Sequence, residues 1–134
     1  MCNESQMLGS LVMLRVLLVE DSELLAERLR EILGQMPDVE VIATVATEKA
    51  AVAAARATQV DTMILDLQLK EGSGFGVLRA LGSTRPTVVV LTNHPLPTYE
   101  QRAKELGAEQ FLDKARDFER LPAVIAAIKV QLKR

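Results

Sequence analysis

Five times along this chain a short apolar run gives way to a stretch whose apolar residues recur at helical spacing, and few folds accept that order. Val16 to Val19, Val39 to Ala43, Thr62 to Leu65, Val88 to Leu91 and Gln110 to Leu112 read as strands. After the first, Ser22 can cap a helix whose Leu25, Leu29, Ile32, Leu33 and Met36 share one face. Glu48 to Ala57 forms an alanine-rich second helix, and Phe75, Leu78 and Leu81 mark a short third one. Pro95 and Pro97 precede a fourth, from about Thr98 to Leu106 and stopped by Gly107, while Leu121, Val124, Ile125, Ile128 and Leu132 define a fifth. Strands rejoined by helical crossovers run parallel, with helices over both faces. The pattern predicts an α/β, doubly wound, five-stranded parallel sheet with five helices.

Strand composition also orders the sheet. The first, third and fourth runs are continuously apolar, as strands buried on both faces must be, whereas the second and fifth are short and more polar and suit the edges. An order of 2-1-3-4-5 satisfies this. It sets the first and third strands side by side at the point where the winding reverses, and ligands of open α/β sheets bind there, beyond the carboxyl ends of the strands.

With 134 residues, 49% of them hydrophobic, the chain suits one compact domain. We assign it to residues 14–134, with residues 1–13 as a loose extension. The net charge of -2 and the scattered lysines and arginines give no basic stripe, so direct contact with nucleic acid is not expected. The single cysteine, Cys2, excludes a disulfide framework and a cysteine-based zinc site. Residues 7–19 are apolar but contain Arg15 and run into Glu20, Asp21 and Ser22, unlike a signal peptide or membrane span. A cytoplasmic protein without a membrane partner is expected; the sequence leaves its oligomeric state open.

Four strand ends carry chemistry: Glu20 and Asp21, Asp66, Thr92, and Lys114 just past Phe111 and Leu112. Taken singly, each has a plainer reading, as a helix cap, a loop hydroxyl or a surface charge. Together they are the complementary groups of a phosphoryl site. Three clustered carboxylates repel by about 3 kcal/mol per ionised pair at roughly 5 Å, so the arrangement calls for a cation. With only oxygen ligands, Mg²⁺ suits it, and beside a phosphodonor it would support in-line transfer. Asp66 is then the candidate nucleophile, with the Thr92 hydroxyl and the Lys114 ammonium each on one phosphoryl oxygen.

These stretches, Val16-Leu17-Leu18-Val19-Glu20-Asp21, Ile64-Leu65-Asp66, Val90-Leu91-Thr92 and Gly107-Ala108 leading to Phe111-Leu112-Asp113-Lys114, resemble the receiver domain of two-component response regulators. The resemblance extends from residue 14 to about 132. It implies a flavodoxin-like fold, Mg²⁺ held by Asp21, Asp66 and the Gln68 backbone carbonyl with Glu20 assisting, and phosphorylation of Asp66 by a histidine kinase or histidine phosphotransfer protein. It further implies a switch through Thr92, Lys114 and Phe111, read by a downstream protein on the face of the fourth helix, fifth strand and fifth helix. Gln68, Asn93 and His94 are candidates for tuning hydrolysis, although His94 alone reads as a solvated loop residue. The expectation is a stand-alone, chemotaxis-type receiver that is a switch and not a turnover enzyme.

Four positions depart from the common receiver pattern. Ala115 follows Lys114 where many receivers place a proline after a cis peptide, and a trans bond is expected here because cis before alanine costs about 3 kcal/mol. Asn93 stands where a small residue is common, Lys70 where a proline is, and Phe111 replaces a frequent tyrosine. Two rivals share the architecture. A small Mg²⁺-dependent phosphatase using an aspartyl phosphate needs a second acid two residues past the nucleophile, and that residue is Gln68. A flavin-binding carrier needs a phosphate loop after the first strand, where Glu20, Asp21 and Glu23 would repel the phosphate.

Overall fold

The computed structural model describes residues 13–84 and 86–132; residues 1–12, nearly all of the expected extension, lie outside the described residues. Five strands, β1 (Leu14–Val19), β2 (Val39–Val45), β3 (Thr62–Leu65), β4 (Thr87–Thr92) and β5 (Gln110–Asp113), pair in parallel in the order β2-β1-β3-β4-β5. Five α-helices connect and follow them: α1 (Glu23–Gly34), α2 (Glu48–Ala57), α3 (Gly74–Leu81), α4 (Pro97–Glu105) and α5 (Leu121–Leu132). This is the doubly wound parallel sheet that the alternating runs and strand composition predict, and the flavodoxin-like fold that the receiver resemblance implies.

The two-residue period of the strands divides the core. Leu14, Val16 and Leu18 of β1 join Ile64, Val89, Leu91 and Leu112 beneath α1 and α5, where Leu29, Leu33, Leu121, Ile125 and Ile128 cover them. Leu17, Val19, Met63, Leu65, Val88 and Val90 face the other way, against Ala51 of α2, Val77, Leu78 and Leu81 of α3, and Ala103 of α4. Truncating a fully buried member such as Leu17, Leu29 or Met63 to alanine would cost about 2–5 kcal/mol.

Several boundaries differ from the sequence reading for local reasons. β2 runs on to Val45 because the pairing with β1 slips by one residue between Val16 and Leu17, so the chain stays in register beyond Ala43. α4 takes in Pro97, which lacks the N–H that the first turn would leave unbonded anyway. Two short 3₁₀ turns, Gly82–Thr84 and Phe118–Arg120, carry no periodic signal that a sequence could show.

Candidate functional site

Sheet register assembles the site. Val19 pairs with Leu65, so the next residues on the two strands, Glu20 and Asp66, emerge side by side. The Asp66 N–H donates to the Val19 carbonyl at 3.0 Å, and the Glu20 N–H to the Val45 carbonyl at 2.9 Å, which fixes both backbones at the sheet edge. Thr92 pairs with Asp113, and the Lys114 N–H donates to the Thr92 carbonyl at 2.8 Å. Asp21 follows Glu20, directly before Ser22, whose hydroxyl caps α1 by accepting the Leu25 N–H.

Lys114 Nζ lies 2.9 Å from Glu20 Oε1 and 2.9 Å from Asp66 Oδ2. All three side chains are almost entirely shielded from solvent, at 8%, 4% and 6% exposure, so this is a buried ion triad and not a screened surface pair. The remaining carboxylate oxygens are bonded by backbone: Glu20 Oε2 accepts from the Ser22 N–H at 3.0 Å, and Asp66 Oδ1 from the Gln68 N–H at 3.1 Å. Burial raises the Glu20 carboxyl above its ordinary range, and the bonds from Lys114 and Ser22 offset this only in part. For Lys114, burial works against the charged ammonium, but hydrogen bonds to Asp66 and Glu20 outweigh it and move its pKa up.

One ammonium does not neutralise three acids. Glu20, Asp21 and Asp66 each offer a carboxylate oxygen, and these atoms lie within 4.8 Å of one another. The set is oxygen-only and partly open through half-buried Asp21, which fits a hard divalent cation of the Mg²⁺ kind.

The other residues singled out from sequence are placed less uniformly. Thr92 is fully buried, and its hydroxyl accepts the His94 N–H at 3.0 Å, a turn that holds the loop after β4. Gln68, Asn93 and His94 are exposed around the crevice, and Gln68 reaches Asp66 through its backbone N–H. Phe111 is half-buried in the cluster beneath α2, α3 and α4, on the opposite face of β5 from Leu112. The Lys114–Ala115 peptide is trans, as expected; no peptide is cis among the described residues. The sequence reading passed over Glu48, whose carboxylate accepts the Ser73 N–H at 3.0 Å in the loop after Asp66. The spacing Gly72-Ser73-Gly74-Phe75-Gly76 was a signal that something packs closely there.

A family model described as the response regulator receiver domain matches residues 16–126. The chain belongs to that family. The receiver is 37% identical over 102 residues to protein-glutamate methylesterase/protein-glutamine glutaminase 2 of Anaeromyxobacter dehalogenans (strain 2CP-C), covering 75% of this chain and 30% of that protein. It thus spans about 30% of the length of the methylesterases it matches. Among solved structures it is similar to a LuxR-family two-component response regulator from Aurantimonas sp. SI85-9A1, with a TM-score of 0.82 at 26% identity, covering 89% of this chain and 86% of that one. The response regulator domain of Thermotoga maritima CheB superposes with a TM-score of 0.80, covering 91% of this chain and 98% of that one; at 21% identity this supports the fold alone. No helix among the described residues is long and apolar enough to cross a membrane.

Proposed function

We propose that this receiver is a phosphorylation switch in which Asp66 accepts a phosphoryl group from a phosphohistidine of a histidine kinase or histidine phosphotransfer protein. The observation that carries the reading is the position of the Asp66 carboxylate at the end of a central strand, 2.9 Å from the Lys114 ammonium and within 4.8 Å of the Glu20 and Asp21 oxygens. In the transfer, an Asp66 oxygen attacks phosphorus in line, the P–N bond of the donor breaks, and the imidazole leaves with the bonding pair. Lys114 offsets charge on the phosphoryl oxygens, while the Gln68 N–H holds the other Asp66 oxygen in place. Mg²⁺, held by Glu20, Asp21, Asp66 and the Gln68 carbonyl, would orient the donor phosphate and neutralise part of its charge.

Thr92 then moves to donate its hydroxyl proton to a phosphoryl oxygen, and Phe111 follows into the space released; exposed Gln68, Asn93 and His94 set access for hydrolytic water. A downstream protein reads the change on the α4-β5-α5 face. A phosphatase with turnover is disfavoured because Gln68 occupies the position that its second acid requires. The protein is a phosphoacceptor that assists its own phosphorylation and dephosphorylation, acting in the cytoplasm and without direct nucleic-acid contact. Intact-protein mass spectrometry with acetyl phosphate and Mg²⁺ tests this: one added phosphoryl group, lost in Asp66→Asn, is expected. Labelling that persists in Asp66→Asn, or none in the wild type with any donor or kinase, would overturn it.

A further inference from the structure

We infer that Glu48, at the start of α2, is a positioning residue for the phosphoacceptor loop, acting on Asp66 through Ser73 and Gln68. The inference rests on the reading of Asp66 as phosphoacceptor and metal ligand. Glu48 grips the loop in two ways: its carboxylate accepts the Ser73 N–H at 3.0 Å, and its own N–H donates to the Glu71 carbonyl at 3.0 Å. Thr47 extends the grip as a parallel bridge to Glu71. The seat is shaped for the carboxylate. Gly72 has a φ of +86°, and a Cβ there would fall on the Glu48 side chain; a Cβ on Gly76 would strike all of its carboxylate.

From Ser73 the path to the site is short. Ser73 bridges antiparallel to Gln68, and the Gly74 N–H donates to the Leu67 carbonyl at 3.0 Å, so the loop after β3 folds back on itself. Gln68 is the residue whose N–H holds Asp66 Oδ1. Leu67 and Leu69 seat the start of this loop on the core, but Lys70, Glu71 and Gly72 are exposed, and Glu48 is what ties that outer stretch down beside a site that depends on sub-ångström placement. Glu48 supplies that anchor from a different crossover, so the geometry around Asp66 depends on α2, an element that contributes no group to the chemistry.

The test compares Glu48→Ala and Glu48→Gln with the wild type by amide hydrogen exchange and by calorimetric Mg²⁺ titration. Glu48→Ala should speed exchange at Ser73 and Gln68 and weaken Mg²⁺ binding by about fivefold, less than the roughly 10- to 100-fold lost when a direct partner of a metal ligand is removed. Glu48→Gln keeps an acceptor oxygen and should restore both. Gly76→Ala, which displaces the carboxylate, should reproduce the alanine variant but have no added effect in the Glu48→Ala background. Unchanged Gln68 exchange, or Mg²⁺ affinity within twofold of wild type despite a lower melting temperature, would overturn the inference and leave Glu48 a fold-stabilising residue. A wild type that binds no Mg²⁺ would instead refute the metal reading of the site, and the tether would then be judged by Gln68 exchange alone.

Discussion

Replacing Lys114 by methionine keeps most of the aliphatic chain and removes the one ammonium between two buried carboxylates. At an effective dielectric near 20, each 2.9 Å contact is worth about 6 kcal/mol of gross attraction, against at least about 3.5 kcal/mol of repulsion between Glu20 and Asp66, whose oxygens lie within 4.8 Å. Desolvation of the ammonium cancels much of that gain, and removing one partner of a buried pair costs about 3–5 kcal/mol net. In metal-free buffer at pH 7.5, Lys114→Met should therefore lower unfolding free energy by about 3 kcal/mol. Burial already raises the Glu20 pKa, and losing Lys114 raises it further, so the deficit should shrink as pH falls through that folded-state value and Glu20 takes up a proton. Millimolar Mg²⁺ should recover more stability in the variant than it adds to the wild type, because the ion no longer competes with an ammonium for the same oxygens. Urea denaturation with and without Mg²⁺ measures both quantities. A metal-free loss under about 1 kcal/mol, the range of exposed pairs, or an Mg²⁺ response no larger than that of the wild type, would refute this account of the triad.

Three further outcomes are expected. Thr62→Val should raise stability by about 1 kcal/mol in urea, because the Thr62 hydroxyl is fully buried with no hydrogen-bond partner among the described residues; a fall in midpoint would show that the hydroxyl is satisfied in solution. Wild-type stability should decline as pH rises above 10.5, since the Lys114 pKa is higher folded than unfolded and its contribution is complete below the unfolded value; Lys114→Met should show less of this decline in alkaline melts. Asp21→Asn should raise metal-free stability, because it removes a like charge from the cluster, while cutting the Mg²⁺-dependent rise in melting temperature; an undiminished rise would remove Asp21 from the ligand set.

Legibility in the sequence followed the range of the interactions. Strand order was readable because burial on both faces forces continuous apolar runs such as Val88 to Leu91, and order alone carries Glu20, Asp66 and Lys114 to one edge. The fork of Lys114 between two acids was not readable, because it depends on side-chain reach across β3 and β4. Glu48 escaped for a related reason: a glutamate opening a helix reads as a dipole-compensating residue, and only the folded loop shows that Ser73 lies above it. Thr47 likewise caps α2 by accepting the Ala50 N–H, a role that a threonine before an alanine-rich helix announces.

The loop after β5 shows how a departure from a family pattern can be absorbed by different physics. With alanine after Lys114 and a trans peptide, the turn is held by a reciprocal pair of aspartates. Asp117 Oδ2 accepts the Asp113 N–H at 3.0 Å, the Asp117 N–H donates to the Asp113 carbonyl at 2.7 Å, and Asp113 Oδ1 accepts the Ala115 N–H at 2.9 Å. The backbone bond from Asp113, followed by the nearby Arg120, lowers the Asp117 carboxyl pKa, so the turn is tied to an ionised acid and loosens only as pH falls through that depressed value. Lys114 is thereby delivered to Glu20 and Asp66 from a backbone fixed on both sides, by Thr92 before it and by the Asp113–Asp117 turn after it. In this chain the ammonium therefore reaches both acids from a trans peptide, on the strength of the aspartate turn that follows it.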